Sequence, residues 1–276
     1  MTTEKVSLTE EKQTLLITLY AKAEESRLPD SLLQDRFAAE IVRRIDYDFS
    51  RLKVDRDMMI GVAMRAHILD GWTRDFIARH PDATVLDLGC GLDSRLFRID
   101  PAPDIRWFDV DYPEVVALRR KLYPDRDGQS LIGSSVTDPN WLADVPADRP
   151  TIIVAEGLFP YLPADEVPKL LRRLTAHLPS GELIFDGYSR FGLELISWQP
   201  SVRATGAKLR WAIDDPRDLE EQIPRLKLQA QLPAYDPEGY DPRQIARLSW
   251  AARLTILAFA AVPVLGRIGW LLRFRF

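Results

Sequence analysis

The stretch that decides the fold is Thr84–Arg95, TVLDLGCGLDSR. Val85–Leu88 is a short apolar run carrying one acid, the composition of a buried parallel strand. It breaks at Gly89-Cys90-Gly91, where two glycines around one small residue allow positive φ and a close backbone approach. A helix is expected just beyond, so its free N–H groups point at whatever lies over the loop. Asp87, inside the run, can accept hydrogen bonds from a ligand held there. Strand, glycine turn and helix N-terminus together read as a nucleotide or nucleoside site.

Two ligand classes use this arrangement. A dinucleotide site wants G-x-G-x-x-G, and Ser94 stands where the third glycine should be. An S-adenosyl-L-methionine site wants D-x-G-x-G, which Asp87-Leu88-Gly89-Cys90-Gly91 fits in full. That ligand has no pyrophosphate to cradle and does not need the third glycine. The plain alternative is a glycine-rich strand–helix turn holding nothing. A second anchor is Ile105–Asp111, a β-branched and aromatic run ending in acids and stopped by Tyr112-Pro113. A carboxylate roughly 20 residues past the glycines is where a ribose diol is held. Asp111 closes the strand and Asp109 shares its side-chain parity, so either can take the ribose; Asp111 is favoured.

These blocks resemble the class I S-adenosylmethionine methyltransferases, within them the leucine carboxyl methyltransferase family and its bacterial polyketide O-methyltransferase branch. The resemblance rests on VLDLGCGLDSR at 85–95, FDVDYPEVVALRRKLYP at 108–124, GSSVTDPNWLADV at 133–145 and AEGLFPYLP at 155–163. LYAKAEESRLPDSLLQDRFAAEIVRRIDYDF at 19–49 extends it over nearly the whole chain. It implies a doubly wound, mostly parallel, seven-stranded Rossmann-like α/β sheet in residues 81–276. Residues 1–80 would form an N-terminal helical cap over cofactor and substrate. By position in the matching blocks, Arg65 would pair with the methionine carboxylate, and Lys22 would be a second cationic contact. Glu156 would face the methionine end. Many relatives place an acid against the adenine amine; here Ser135 occupies that position, leaving the contact to Ser135 or to backbone around Val136.

At 276 residues the chain can bury a full core, and its composition is that of an ordinary soluble globular protein. A net charge of −4 gives no electrostatic footprint for nucleic acid. One cysteine, Cys90, excludes an internal disulfide and fits a reducing compartment; its place in the loop calls for a small packing side chain. The polar N-terminus shows no signal segment, so a cytoplasmic protein is expected. From Pro242 to Phe276 there are six arginines and no acid, and Leu254–Gly266 is strongly apolar but broken by Pro263. This run is shorter than the roughly 20 residues of a membrane span. A core helix with basic flanks and a final strand is favoured there over a membrane-surface anchor.

Helices are expected first: one capped by Thr9 with Leu15, Leu16, Leu19 and Tyr20 on its apolar face, one capped by Asp30 or Ser31, and one over Met58–Arg79. Strands and helices then alternate, as in a doubly wound sheet. Strands are read at Ser130–Gly133, Thr151–Ala155 and Glu182–Phe185, with Asp186-Gly187-Tyr188 at the site edge. Ser189–Ile223 is too long for a plain connection and reads as a lid or substrate insertion. Arg225–Ala230 and Trp270–Phe276 make the last two strands, antiparallel at the sheet edge.

Methyl transfer from a sulfonium is an in-line displacement, so the protein mainly supplies alignment. A carboxylate acceptor is ionised at neutral pH and needs no base, whereas a phenol benefits from one. His80 and His177 read as structural, His67 falls on a different helix face from Arg65, and no catalytic base or metal cluster emerges. Phe159, Tyr161, Tyr188, Trp198 and Trp211 are the aromatic candidates to line an acceptor pocket. The reading is a small-molecule O-methyltransferase of secondary metabolism acting on a polyketide-like or aromatic carboxylate or hydroxyl. The alternatives are a protein C-terminal carboxyl methyltransferase, or a cofactor-binding relative with different or no methyl transfer.

Overall fold

The computed structural model describes residues 4–5, 10–234, 240–260 and 267–276. The expected strand β1 is Thr84–Leu88, followed by β2 (Arg106–Asp111), β3 (Gln129–Gly133), β4 (Thr151–Ala155) and β5 (Gly181–Tyr188). These five are parallel; β6 (Lys227–Pro233) and β7 (Gly269–Arg275) complete one sheet in the order β3-β2-β1-β4-β5-β7-β6. β7 runs antiparallel to both its neighbours, and the β7–β6 pair forms the sheet edge as expected, with β6 outermost. Pairing with β7 also carries β5 on through Asp186, Gly187 and Tyr188, which were expected to lie beyond its end.

Strand alternation splits the core into two layers. Val85, Ile152 and Ile184 face one side with Ile60, Met64 and Phe76 of α3 (Arg56–Arg79), the third helix after α1 (Thr14–Glu25) and α2 (Arg36–Arg44). Leu86, Ile153 and Leu183 face the other. Between strands run α4 (Arg95–Ile99), α5 (Pro113–Leu122) and α6 (Glu166–His177), whose Leu170, Leu171 and Leu174 fill that second layer.

The helical start departs from expectation at two caps. Thr9 lies outside the described residues, and α1 begins at Thr14 after a 3₁₀ turn. Neither Asp30 nor Ser31 caps α2: the buried Glu25 carboxylate accepts from the Leu32 and Leu33 amides and the Ser31 hydroxyl, holding that segment off helix. The helix starts only after Asp35, whose side chain accepts from Ala38 N at 2.9 Å. The 189–223 segment folds as α7 (Arg190–Ser197), α8 (Pro200–Thr205) and α9 (Asp218–Gln222). After the short α10 (Pro242–Ile245) comes α11 (Trp250–Ala260), which is not a core helix. It packs through Ala252 and Ile256 and leaves Trp250, Leu254 and Leu257 in solvent.

Candidate functional site

The glycine loop sits at the carboxyl end of β1, where open α/β sheets bind ligands. Gly89 and Gly91 adopt φ of +62° and +50°, and a Cβ on Gly89 would lie 2.8 Å from Leu158 Cδ1. Cys90 between them is buried, and burial pushes its thiol well up, so it stays an inert SH. Arg119, reaching over from α5, donates through Nη1 to the Gly91 and Asp93 carbonyls at 2.9 and 2.8 Å.

The two β2 acids separate cleanly. Asp109 is consumed internally, accepting from Trp107 Nε1 (2.9 Å), Arg119 Nη2 (3.0 Å) and Gln129 Nε2 (2.6 Å). Asp111 faces the cavity over the loop and accepts from Gly91 N and Tyr112 N, each at 2.7 Å. Those bonds fix its carboxylate while leaving lone pairs toward the cavity. Burial raises its pKa and the two amides hold it back.

Opposite lies a charged cluster that ties the N-terminal helices α1 and α3 to the sheet. Glu156, just beyond β4, meets Lys22 of α1 (3.1 Å), Arg65 of α3 (3.1 Å) and Arg95 of α4. Burial alone would raise its pKa; the three cations outweigh that and hold it at about 2. Arg65 also donates to Asp186 Oδ2 at 2.9 Å, and the Tyr188 hydroxyl donates to the same carboxylate at 3.1 Å. Asp186 Oδ1 takes the Gly157 amide. Arg95 reaches Asp70 (2.9 Å) and Asp87 (3.2 Å), and Arg98 bridges Asp70, Asp93 and Asp35. Burial pushes Asp87 up to about 7 against the Arg95 charge. Asp186 was placed at the site edge, but Asp70, Asp93, Arg95 and Arg98 were not singled out from sequence as site residues, although the DSR tail of the opening motif supplies two of them.

A single cavity of about 590 Å³ runs from the loop past this cluster, enough for a cofactor and part of an acceptor. All the expected cofactor residues except Val136 line it. The Val136 side chain is buried in the core and its carbonyl accepts from Trp141 Nε1, while Ser135 lines the wall and bonds to Thr137. Tyr161 and Tyr188 line the far end; the other three aromatics do not. Phe159 and Trp211 pack edge-on in the core beneath it, their rings 5.8 Å apart, because the turn after β4 points inward. Trp198 is 72% exposed on the outer side of the 189–223 segment, beside Arg203. That segment lines the cavity instead through Ile196, Gln199 and Val202, and Lys208 and Arg210 stand exposed where it meets solvent. Neither cation forms an ion pair among the described residues.

The donor set fits S-adenosylmethionine. Asp111 offers a fixed carboxylate for a diol, the glycine turn gives close approach, and the cluster holds a guanidinium for a carboxylate and buried acids for an ammonium.

Comparison with known proteins agrees. The model of the family described as leucine carboxyl methyltransferase matches residues 15–130. The chain is 44% identical over 269 residues to the tetracenomycin polyketide synthesis O-methyltransferase TcmP of Streptomyces glaucescens, spanning 93% of this chain and 99% of that one. It is 36% identical to the S-adenosyl-L-methionine-dependent methyltransferase dpfgK of Gibberella zeae, over 96% and 95% of the two chains. The solved structure of a DUF574-family protein from Streptomyces avermitilis superposes with a TM-score of 0.61 at 14% identity, over 95% and 96%, and shows the shared fold. By its glycine-loop site and these relatives, the chain belongs to the leucine carboxyl methyltransferase family and is an S-adenosylmethionine-dependent methyltransferase.

Proposed function

We propose that the protein methylates an oxygen of a flat, largely apolar small molecule of polyketide type, and that this oxygen belongs to a carboxylate. Asp111 would hold the cofactor ribose, Arg65 its methionine carboxylate, and Asp87 and Glu156 would face its ammonium end. Residues 1–80 would serve as the cap, since α1 and α3 supply Lys22 and Arg65. Bound there, the cofactor supplies an electrophilic methyl group on a sulfonium.

The observation that carries the acceptor class is what faces the far end of the cavity. Tyr161 and Tyr188 both have their hydroxyls pushed up, burial being the largest cause for each, so both are protonated at neutral pH and donate rather than accept protons. Asp186 already accepts from Arg65, Tyr188 and Gly157. His67 is exposed on α3 and His177 bonds the Val145 carbonyl, away from the cavity. An acceptor that arrives ionised needs none of these as a base. Lys208 and Arg210 supply a counter-charge at the rim, and the likeness to an O-methyltransferase of tetracenomycin polyketide synthesis favours a polyketide acceptor.

The test is transfer from methyl-labelled cofactor to aromatic polyketide acids and to matched phenols lacking the acid. Label released as methanol by mild alkali marks a methyl ester and supports the reading. Alkali-stable label marks an ether and overturns the carboxylate assignment. Labelling of a peptide tail in preference to any small acid would overturn the small-molecule reading.

A further inference from the structure

The α11 surface is not explained by catalysis. Trp250, Leu254 and Leu257 are 71%, 56% and 65% exposed, and their i, i+4, i+7 spacing puts them on one face. Arg253 stands at the edge of that stripe, three residues on from Trp250 and four before Leu257, and is itself exposed. Large apolar side chains grouped in solvent mark an interaction site. We propose that α11 docks the protein onto an anionic lipid surface, lying along it.

Charge selects this occupant. Residues 242–276 carry six arginines and no acid. Arg247 is tied to Glu25 and Asp30, and Arg273 to Glu182, but Arg243, Arg253 and Arg267 are exposed and form no ion pair among the described residues. The whole chain carries −4 and this segment +6, and after those pairings Arg243, Arg253 and Arg267 remain as exposed cations with no acid in the segment to oppose them. A second copy seated face to face on α11 would set one basic, acid-free helix against another, whereas anionic headgroups give its exposed arginine a partner. An apolar face with tryptophan at one end and arginine at its edge suits the headgroup boundary. The helix has 11 residues, about 16 Å at ~1.5 Å each, against a hydrocarbon core of about 30 Å. No helix among the described residues is long and apolar enough to cross a membrane, so the contact is one of lying on the surface. The spacing recurs in Phe191 and Leu195 of α7 and Trp198 just after it, all exposed, where Gly192 is seated on the Ile268 backbone just before β7.

The experiment is co-flotation of the full chain with vesicles of phosphatidylcholine alone and with about one-third phosphatidylglycerol, at low and high salt, alongside light scattering without lipid. The expected result is capture by the anionic vesicles at least ~10-fold above neutral ones, weakened by salt. It should fall at least ~10-fold in Leu254→Asp/Leu257→Asp and in Arg253→Glu/Arg267→Glu, with cofactor affinity unchanged in both. Equal capture by neutral vesicles, no capture by either, or capture untouched by both variants would overturn the proposal. So would a dimer in light scattering that Leu254→Asp dissolves, which would assign the face to a second copy.

Discussion

Replacing Asp111 with alanine tests the reading of the cofactor site most directly. Its carboxylate accepts from Gly91 N and Tyr112 N at 2.7 Å each and turns its remaining lone pairs to the cavity. Hydrogen bonds to a charged acceptor contribute about 1.5–3 kcal/mol apiece, and a ribose diol offers two. Allowing for water filling the gap, a net loss of about 2–4 kcal/mol, or roughly 30- to 700-fold in Kd, is expected. The two amides lose their acceptor as well, lowering stability by about 1–3 kcal/mol and Tm by ~2–4 °C per kcal/mol. Calorimetric titration of S-adenosylhomocysteine, run beside a thermal melt, reads both quantities. Asp109→Asn is the control: its carboxylate is occupied by Trp107, Arg119 and Gln129 and does not reach the cavity. That variant should lose stability, because the buried Arg119 loses its counter-charge, while Kd stays within about threefold. The reverse pattern, with affinity lost at Asp109 and retained at Asp111, would refute the reasoning.

Three further outcomes follow from the geometry. Phe159→Ala empties a fully buried site against Phe185 and Trp211 and should cost about 3–5 kcal/mol in chemical denaturation, without weakening cofactor binding. Gly89→Ala forces a side chain into φ +62° and against Leu158; about 1–2 kcal/mol of backbone strain, plus displacement of Leu158 into the cavity, should lower both Tm and affinity. Asp87, at about 7 folded against 3.8 as its ordinary value, makes the folded chain hold the extra proton between those limits. Its contribution to stability is therefore full below about pH 4 and lost as pH rises through 7; a Tm series should show that fall in the wild type and a flatter profile in Asp87→Asn.

The sequence was legible wherever an interaction is local. A strand, a turn with two glycines and an acid at the end of the next strand are set by neighbours in the chain, so Asp87, Gly89, Gly91 and Asp111 could be placed beforehand. Asp109 and Asp111 share a strand and a parity, and in the structure only the strand-ending Asp111 lines the cavity, because Arg119 and Gln129 take the inner acid. What could not be read is direction. Phe159 and Tyr161 both fall just past the end of β4, but the 3₁₀ turn over Phe159–Tyr161 sends Phe159 down into the core and Tyr161 up to the cavity. Periodicity likewise shows that α11 is apolar without saying whether anything covers it. The charged cluster was hidden for a third reason. Arg95 joins Asp70 and Glu156, 25 residues before it and 61 after, and only the fold brings such partners together.

Arg119 has a consequence for how ligands arrive. By holding the Gly91 and Asp93 carbonyls from α5, it sets the glycine loop before any ligand is present. Little conformational entropy then remains to be lost at that end of the cavity when a nucleoside binds. Removing the clamp while keeping every contacting group, as in Arg119→Met, would leave the same atoms facing the ligand but make the loop's ordering part of association. The slower on-rate that follows would measure what the arginine supplies in advance.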